Sequence, residues 1–115
     1  MNNIMTIDGQ KAVISYDPEI NLFRGEFIGL NGSADFYGSD VASLEAEGSL
    51  SLKVFLETCK EEGITPFKSY SGKFNVRIPP QLHAESVEAA AAAGKSLNDW
   101  LKVAIAHELR TNLLR

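Results

Sequence analysis

Cysteine, histidine and long apolar runs are all scarce in this chain. A single cysteine, Cys59, excludes an internal disulfide and fits a reducing compartment. His83 and His107 stand 24 positions apart with no Cys or His at ligand spacing, so no zinc pattern is present. No apolar stretch approaches the roughly 20 residues that cross a bilayer. The opening Met1-Asn2-Asn3-Ile4-Met5 lacks the basic-then-apolar layout of a signal peptide. The expectation is a cytoplasmic protein with no membrane partner, no cofactor and no metal. Basic residues are outnumbered too. Eleven Lys and Arg face fifteen Asp and Glu, and the net charge of −4 argues, for the whole chain, against a nucleic-acid binder.

What is present is globular in composition. Apolar residues make up 44% and charged residues 23%, which excludes general disorder. A length of 115 residues allows one ordinary domain or two very small ones. The charge is unevenly spread. Met1 to Tyr70 carries five Lys and Arg against eleven Asp and Glu, a net of −6. Ser71 to Arg115 carries six against four, a net of +2. An acidic front and a mildly basic back suggest two pieces with different partners.

The front piece reads as β-β-β-α. Ala12 to Tyr16, Phe23 to Ile28 and Ala34 to Gly38 are strand-like runs rich in β-branched and aromatic residues. Asp17-Pro18-Glu19-Ile20-Asn21 separates the first two as a turn, and short connections favour an antiparallel meander. Met5-Thr6-Ile7 before Asp8-Gly9 has no obvious partner. Asp40 is placed to cap a helix that runs to about Glu62 and closes at Gly63. Val41, Leu44, Leu52, Phe55, Leu56 and Cys59 form its apolar stripe, and Gly48-Ser49 is a point of possible interruption. Cys59 on that stripe reads as core.

The pattern changes after Tyr70-Ser71-Gly72, which reads as a hinge. Lys73-Phe74-Asn75-Val76-Arg77-Ile78 alternates strictly, with Phe74, Val76 and Ile78 on one face and Lys73, Asn75 and Arg77 on the other. Pro79-Pro80 ends this strand and favours a helix start. Gln81 to Ala93 is helical by propensity, and Gly94 suits its end. Ser96-Leu97-Asn98-Asp99 opens a final helix with a capping-box variant. Leu97, Trp100, Leu101, Ala104 and Ile105 share one stripe of that helix, which can extend to Leu109. One strand and two helices in about 45 residues bury little surface, and a lone strand has no ladder partner. Two copies pairing their strands about a two-fold axis would solve both problems. Phe74, Val76, Ile78, Trp100, Leu101 and Ile105 would form the dimer core.

A two-stranded ribbon of that kind fits the DNA major groove, where Arg reads guanine and Asn reads adenine. Lys73, Asn75 and Arg77 would line its exposed face, and the helix start at Lys95, Ser96, Leu97 and Asn98 would hold a phosphate. Here the sequence resembles the ribbon-helix-helix family. A wider resemblance joins both pieces. Tyr70 to Pro79, Leu82-His83 and Gly94-Lys95-Ser96-Leu97-Asn98 look like the C-terminal signature of HicB antitoxins. The front blocks match as well: Tyr16-Asp17-Pro18-Glu19, Phe23-Arg24-Gly25-Glu26, Gly29-Leu30, Phe36-Tyr37-Gly38 and Cys59 to Gly63. The likeness covers roughly positions 11 to 110. It implies an α+β chain with a β-β-β-α unit of partial RNase H-like (or double-stranded-RNA-binding-like) type at 1–69 and a ribbon-helix-helix (β-α-α) unit at 70–115. It also implies an antitoxin that binds a HicA-like mRNA-cleaving toxin and represses its own operon by binding operator DNA. A homodimer is expected, with a tetramer left open.

An RNase H-like front raises a nuclease reading, which needs carboxylates converging on a metal pair. Asp8, Asp17, Glu19, Asp35, Asp40 and Glu45 are available, but Asp17 and Glu19 flank a turn proline and Asp40 reads as a cap. The expectation is a protein without catalytic residues. A stand-alone ribbon-helix-helix regulator with no toxin partner is the alternative to the antitoxin.

Overall fold

The computed structural model describes residues 3–113, with side chains as far as Thr111. The described residues form an α+β protein with one four-stranded antiparallel sheet and three helices. Two compact units divide the chain, Asn3–Ser71 and a second that begins at Gly72.

In the first unit the strands β1 (Ile4–Ile7), β2 (Gln10–Asp17), β3 (Leu22–Phe27) and β4 (Asp35–Gly38) pair in sequence order. The expected three strands are therefore four. The extra one is the amino-terminal segment that had no partner in the sequence reading: Ile7 pairs with Gln10 across Asp8-Gly9. Asp8 and Gly9 both take positive φ, 50° and 81°, as a two-residue turn of mirror-image type requires. The β2–β3 turn is held by its own side chains. Asp17 accepts from the Glu19 amide at 3.0 Å, Asn21 adopts φ 55°, and the Tyr16 hydroxyl donates to the Asn21 side chain.

Helix α1 (Val41–Glu62) begins where Asp40 accepts from the Ser43 amide at 2.7 Å, and the Ser43 hydroxyl accepts in turn from the Asp40 amide at 3.1 Å. This reciprocal cap satisfies two amides at the helix start. Hydrogen bonding from Ser43, first through its backbone, holds the Asp40 carboxyl below its ordinary pKa. At the other end Gly63 takes φ 69° and donates to the Cys59 carbonyl.

The helix is continuous through Gly48-Ser49, and the reason lies in packing. A Cβ on Gly48 would sit 2.5 Å from Ile7 Cδ1 and 3.0 Å from the Phe36 ring. Gly25 is equally constrained, since its Cβ would fall 2.1 Å from that same ring. Gly38 lies under the first turn of α1, where a Cβ would sit 2.7 Å from the Leu44 amide. Phe36 thus lies in a channel that two of these glycines open between sheet and helix. Around it Ile7, Ala12, Phe27, Leu30, Ala34, Leu44 and Leu52 form the core, with Met5, Ile14, Phe55 and Leu56 packed against it. The Phe27 and Phe36 rings meet at 5.1 Å. Cys59 is buried, as its place on the stripe suggested. Val41 departs from that stripe and is 63% exposed, because it precedes the point where α1 first meets the sheet.

After α1 the chain returns over the Gly29–Asn31 loop. Phe67 bridges antiparallel to Leu30, the Lys68 amide donates to the Gly29 carbonyl at 2.8 Å, and the Asn31 amide donates to the Pro66 carbonyl at 2.8 Å. The Asn31 side-chain amide donates to the Thr65 carbonyl at 2.7 Å. These bonds tie the last stretch of the unit to its own sheet.

The second unit is two helices, α2 (Pro80–Ala92) and α3 (Leu97–Leu113). Pro80 occupies the first helical position, where its missing N–H costs nothing. Gly94 closes α2 at φ 70°, its amide donating to Ala91 at 3.0 Å while the Lys95 amide donates to Ala90 at 3.0 Å. These paired bonds are the Schellman arrangement. Ser96 then caps α3, its hydroxyl accepting from the Asp99 amide at 3.1 Å.

Candidate nucleic-acid interface

The expected strand Lys73–Ile78 does not form among the described residues: positions 73–79 carry no secondary structure. The physical reason was already in the pattern, since one strand needs a neighbour to complete its hydrogen bonds. Both of its faces are open. Lys73, Asn75 and Arg77 are exposed, and so are Phe74 at 70%, Val76 at 66% and Ile78 at 37%.

The helices are no better covered. Ala90 is the one buried residue of the unit among the described positions. Leu97, Trp100 and Ala104 are half-buried, which agrees with the stripe read from sequence. Leu101 and Ile105 share that stripe but remain exposed, along with Leu82, Val87, Val103 and Leu109. The residues expected to form a dimer core are therefore uncovered or only partly covered within one chain.

The two sets of proposed DNA contacts lie at opposite ends of α2. Lys73, Asn75 and Arg77 precede its first turn, whereas Lys95, Ser96, Leu97 and Asn98 follow its last. Thirteen helical residues separate them, a length of about 20 Å at ~1.5 Å rise per residue. At the second set, Lys95, Ser96 and Asn98 are exposed. Asp99 also sits in that first turn, with Lys102 3.3 Å from its carboxylate. A phosphate at this helix start would thus meet an acid that is half-answered by a lysine. His83 and His107 are both exposed on helix surfaces.

The first unit has an open sheet face with its own charge cluster. Arg24 Nη2 lies 2.6 Å from Asp35 and Nη1 lies 3.2 Å from Glu26, across and along the ladder. The hydrogen bond to Asp35, with Tyr37 adding to it, raises the Arg24 pKa above its ordinary value. The remaining carboxylates singled out from sequence have local structural duties. Asp8 accepts from the Ser49 hydroxyl, Asp17 holds its turn and Asp40 caps α1. No group of three His, Cys, Asp or Glu among the described residues is placed to hold one metal ion. No helix among them is long and apolar enough to cross a membrane.

One surface escaped the sequence reading. A groove of ≈ 650 Å³ runs between β4 and α1, with Tyr37, Glu47, Leu50, Ser51 and Val54 among its walls. Its signal was the pair Leu50 and Val54, four apart and off the main stripe; both are more than half exposed.

The fold and these surfaces define a small α+β protein with an acidic sheet unit and a helical unit that buries little among the described residues. The model of the HicB family matches residues 55–105, from the second half of α1 through most of α3. That match is a likeness to the HicB family over less than half of the chain. No curated protein and no solved structure matches the chain.

Proposed function

We propose that this chain is a HicB-type antitoxin whose second unit dimerises as a ribbon-helix-helix domain and represses its own operon. Its first, partial RNase H-like unit neutralises a HicA-like mRNA-cleaving toxin. The observation that carries the reading is the second unit itself. Among the described residues it pairs one buried side chain with an alternating segment and two helices that leave nine large apolar side chains exposed. A second copy supplies what is missing: a strand partner for Lys73–Ile78 and cover for Phe74, Val76 and Ile78. Trp100, Leu101 and Ile105 complete that core. The ribbon then presents Lys73, Asn75 and Arg77 twice. Sedimentation of the full chain tests this. A dimer that Phe74→Asp converts to monomer supports the reading, and a monomeric wild type overturns it.

Operator binding follows from the same ribbon. Arg77→Ala is expected to weaken a gel shift with the chain's own promoter by about 1–3 kcal/mol if Arg77 reads a base. Unchanged affinity removes Arg77 from the interface. The net +2 of the back piece makes such binding dependent on valency and sensitive to salt. Toxin binding is supported by the complementary charge, since an RNA-cleaving protein carries positive surface and the front piece has a net of −6. We propose no catalytic residues and no resident cofactor, and cytoplasmic residence.

A second reading is favoured by where the family match falls. Residues 55–105 include only the end of the first unit, which leaves room for a ribbon-helix-helix regulator with some other front partner. Co-expression with the adjacent reading frame separates the two. A neutralised ribonuclease supports the antitoxin, and its absence supports the regulator.

A further inference from the structure

The sheet of the first unit ends at β4, and the geometry of that edge is specific. Phe27 donates to the Ala34 carbonyl at 3.3 Å, so Phe27 and Ala34 form a hydrogen-bonded pair of the β3–β4 ladder. Antiparallel ladders alternate. Phe36 and Gly38 therefore turn their backbone groups toward β3, whereas Asp35 and Tyr37 turn theirs to the open side. Ser51 of α1 donates to the outward Asp35 carbonyl at 3.2 Å. The Asp35 amide and both backbone groups of Tyr37 face the groove side of the strand.

Helix α1 supplies a wall beside this edge. Leu50 is 56% exposed and Val54 53% exposed, and both line the groove together with the half-buried Phe55. The ionisable side chains in its lining are Asp35, Glu47 and Tyr37, with no Lys or Arg; Asp35 is already paired with Arg24, so Glu47 is the acid left to a basic partner. A smaller groove is lined by Asp8 and Glu57 but also by Lys53, so its acidity is partly answered within the groove. Self-pairing of two β4 edges would bring two units of net −6 together and set Glu47 near its own copy. Charge therefore selects a basic partner over a second copy of this chain, and the backbone geometry selects an extended segment.

We infer that the β4 edge and the α1 wall take up an extended segment of a basic protein partner by strand addition. The inference rests on the antitoxin reading for the partner's identity and adds the surface and the mode of contact. Alternate side chains of the added strand meet Leu50, Val54 and Phe55 on the helix side, and a Lys or Arg beside them meets Glu47. The opposite set faces Tyr37 and Asp35. Association of this kind is driven by main-chain hydrogen bonds, with the apolar wall setting which segment fits.

The test uses the full chain and, as probe, the purified product of the adjacent reading frame. Titration compares wild type with Leu50→Asp/Val54→Asp, whose folding is followed by circular dichroism. Hydrogen exchange on wild type reads the Asp35 and Tyr37 amides with and without the probe. A loss of affinity of at least tenfold in the folded double variant, with slowed exchange at both amides, supports the inference. Binding with exchange at Asp35 and Tyr37 unchanged overturns it, whatever the double variant does, and leaves the antitoxin reading standing. Slowed exchange at these amides with undiminished variant affinity overturns the helix wall as part of the site. No binding by wild type overturns the antitoxin reading and the assignment of this groove together.

Discussion

The two units of this protein solve the same problem of burying apolar surface with opposite results. The first wraps a four-stranded sheet around Phe36 and closes it with one helix, leaving eight residues in a continuous core. The second has two helices, one closed at Gly94 and the next opened by Ser96, and one buried alanine among the described residues. Good local structure is therefore not the same as a core. Caps and turns stop a helix in the right place, but only a packed neighbour removes its apolar face from water. The first unit finds that neighbour within its own chain. The second finds none within its own unit among the described residues; if it dimerises as proposed, its stability depends on protein concentration.

Four substitutions can break or sharpen this contrast. The largest effect is expected at Phe36, whose removal empties the channel opened by Gly25 and Gly48. Phe36→Ala should cost about 3–5 kcal/mol in urea unfolding of the first unit and leave the oligomeric state of the chain unchanged. An oligomer that falls apart in this variant would show the two units to be interdependent. Gly48→Ala comes next. It forces a methyl against Ile7 and Phe36 and should destabilise by about 1–3 kcal/mol, although alanine is the better helix former. A stabilised variant would mean that α1 can lift off the sheet freely.

Ser96→Ala tests the second unit. Loss of the hydroxyl that accepts from the Asp99 amide should cost about 1 kcal/mol of stability, visible as a lower midpoint at fixed protein concentration. The smallest effect is expected at Asp40. Its pKa is lowered in the folded state, so its contribution is present above the pKa of the unfolded chain and is lost as pH falls through the folded value. Asp40→Asn keeps a side-chain acceptor for the Ser43 amide and removes the titration. Melting temperatures of the two proteins should therefore draw together as the solution is acidified below the usual carboxylate range. A constant gap across that range would place the cap's contribution in geometry alone.

Much of the first unit was legible in the chain. The Asp40 cap, the Gly63 stop, the β2–β3 turn and the place of Cys59 all depend on local chemistry that a residue type announces. The amino-terminal strand was harder because pairing is not local: Asp8-Gly9 marked a turn, but only the register with β2 makes Ile4–Ile7 a strand. Gly48 was misleading for a related reason. By propensity it weakens a helix, whereas here it lets the helix reach Phe36. In the second unit the alternation of Lys73–Ile78 was plain, but a strand exists only with a partner. The β4–α1 groove was invisible because its two walls are joined by folding, with Leu50 and Val54 reading as ordinary surface until the sheet edge lies beside them.

By itself, then, the sequence determined where elements start and stop, which faces are apolar and how charge divides at Ser71, because caps, periodicity and charge are properties of neighbouring residues. The tertiary structure decided which strands pair, where glycine is needed for close approach and which edge stays open. Those outcomes depend on distances between residues far apart in the chain, and no local preference encodes them.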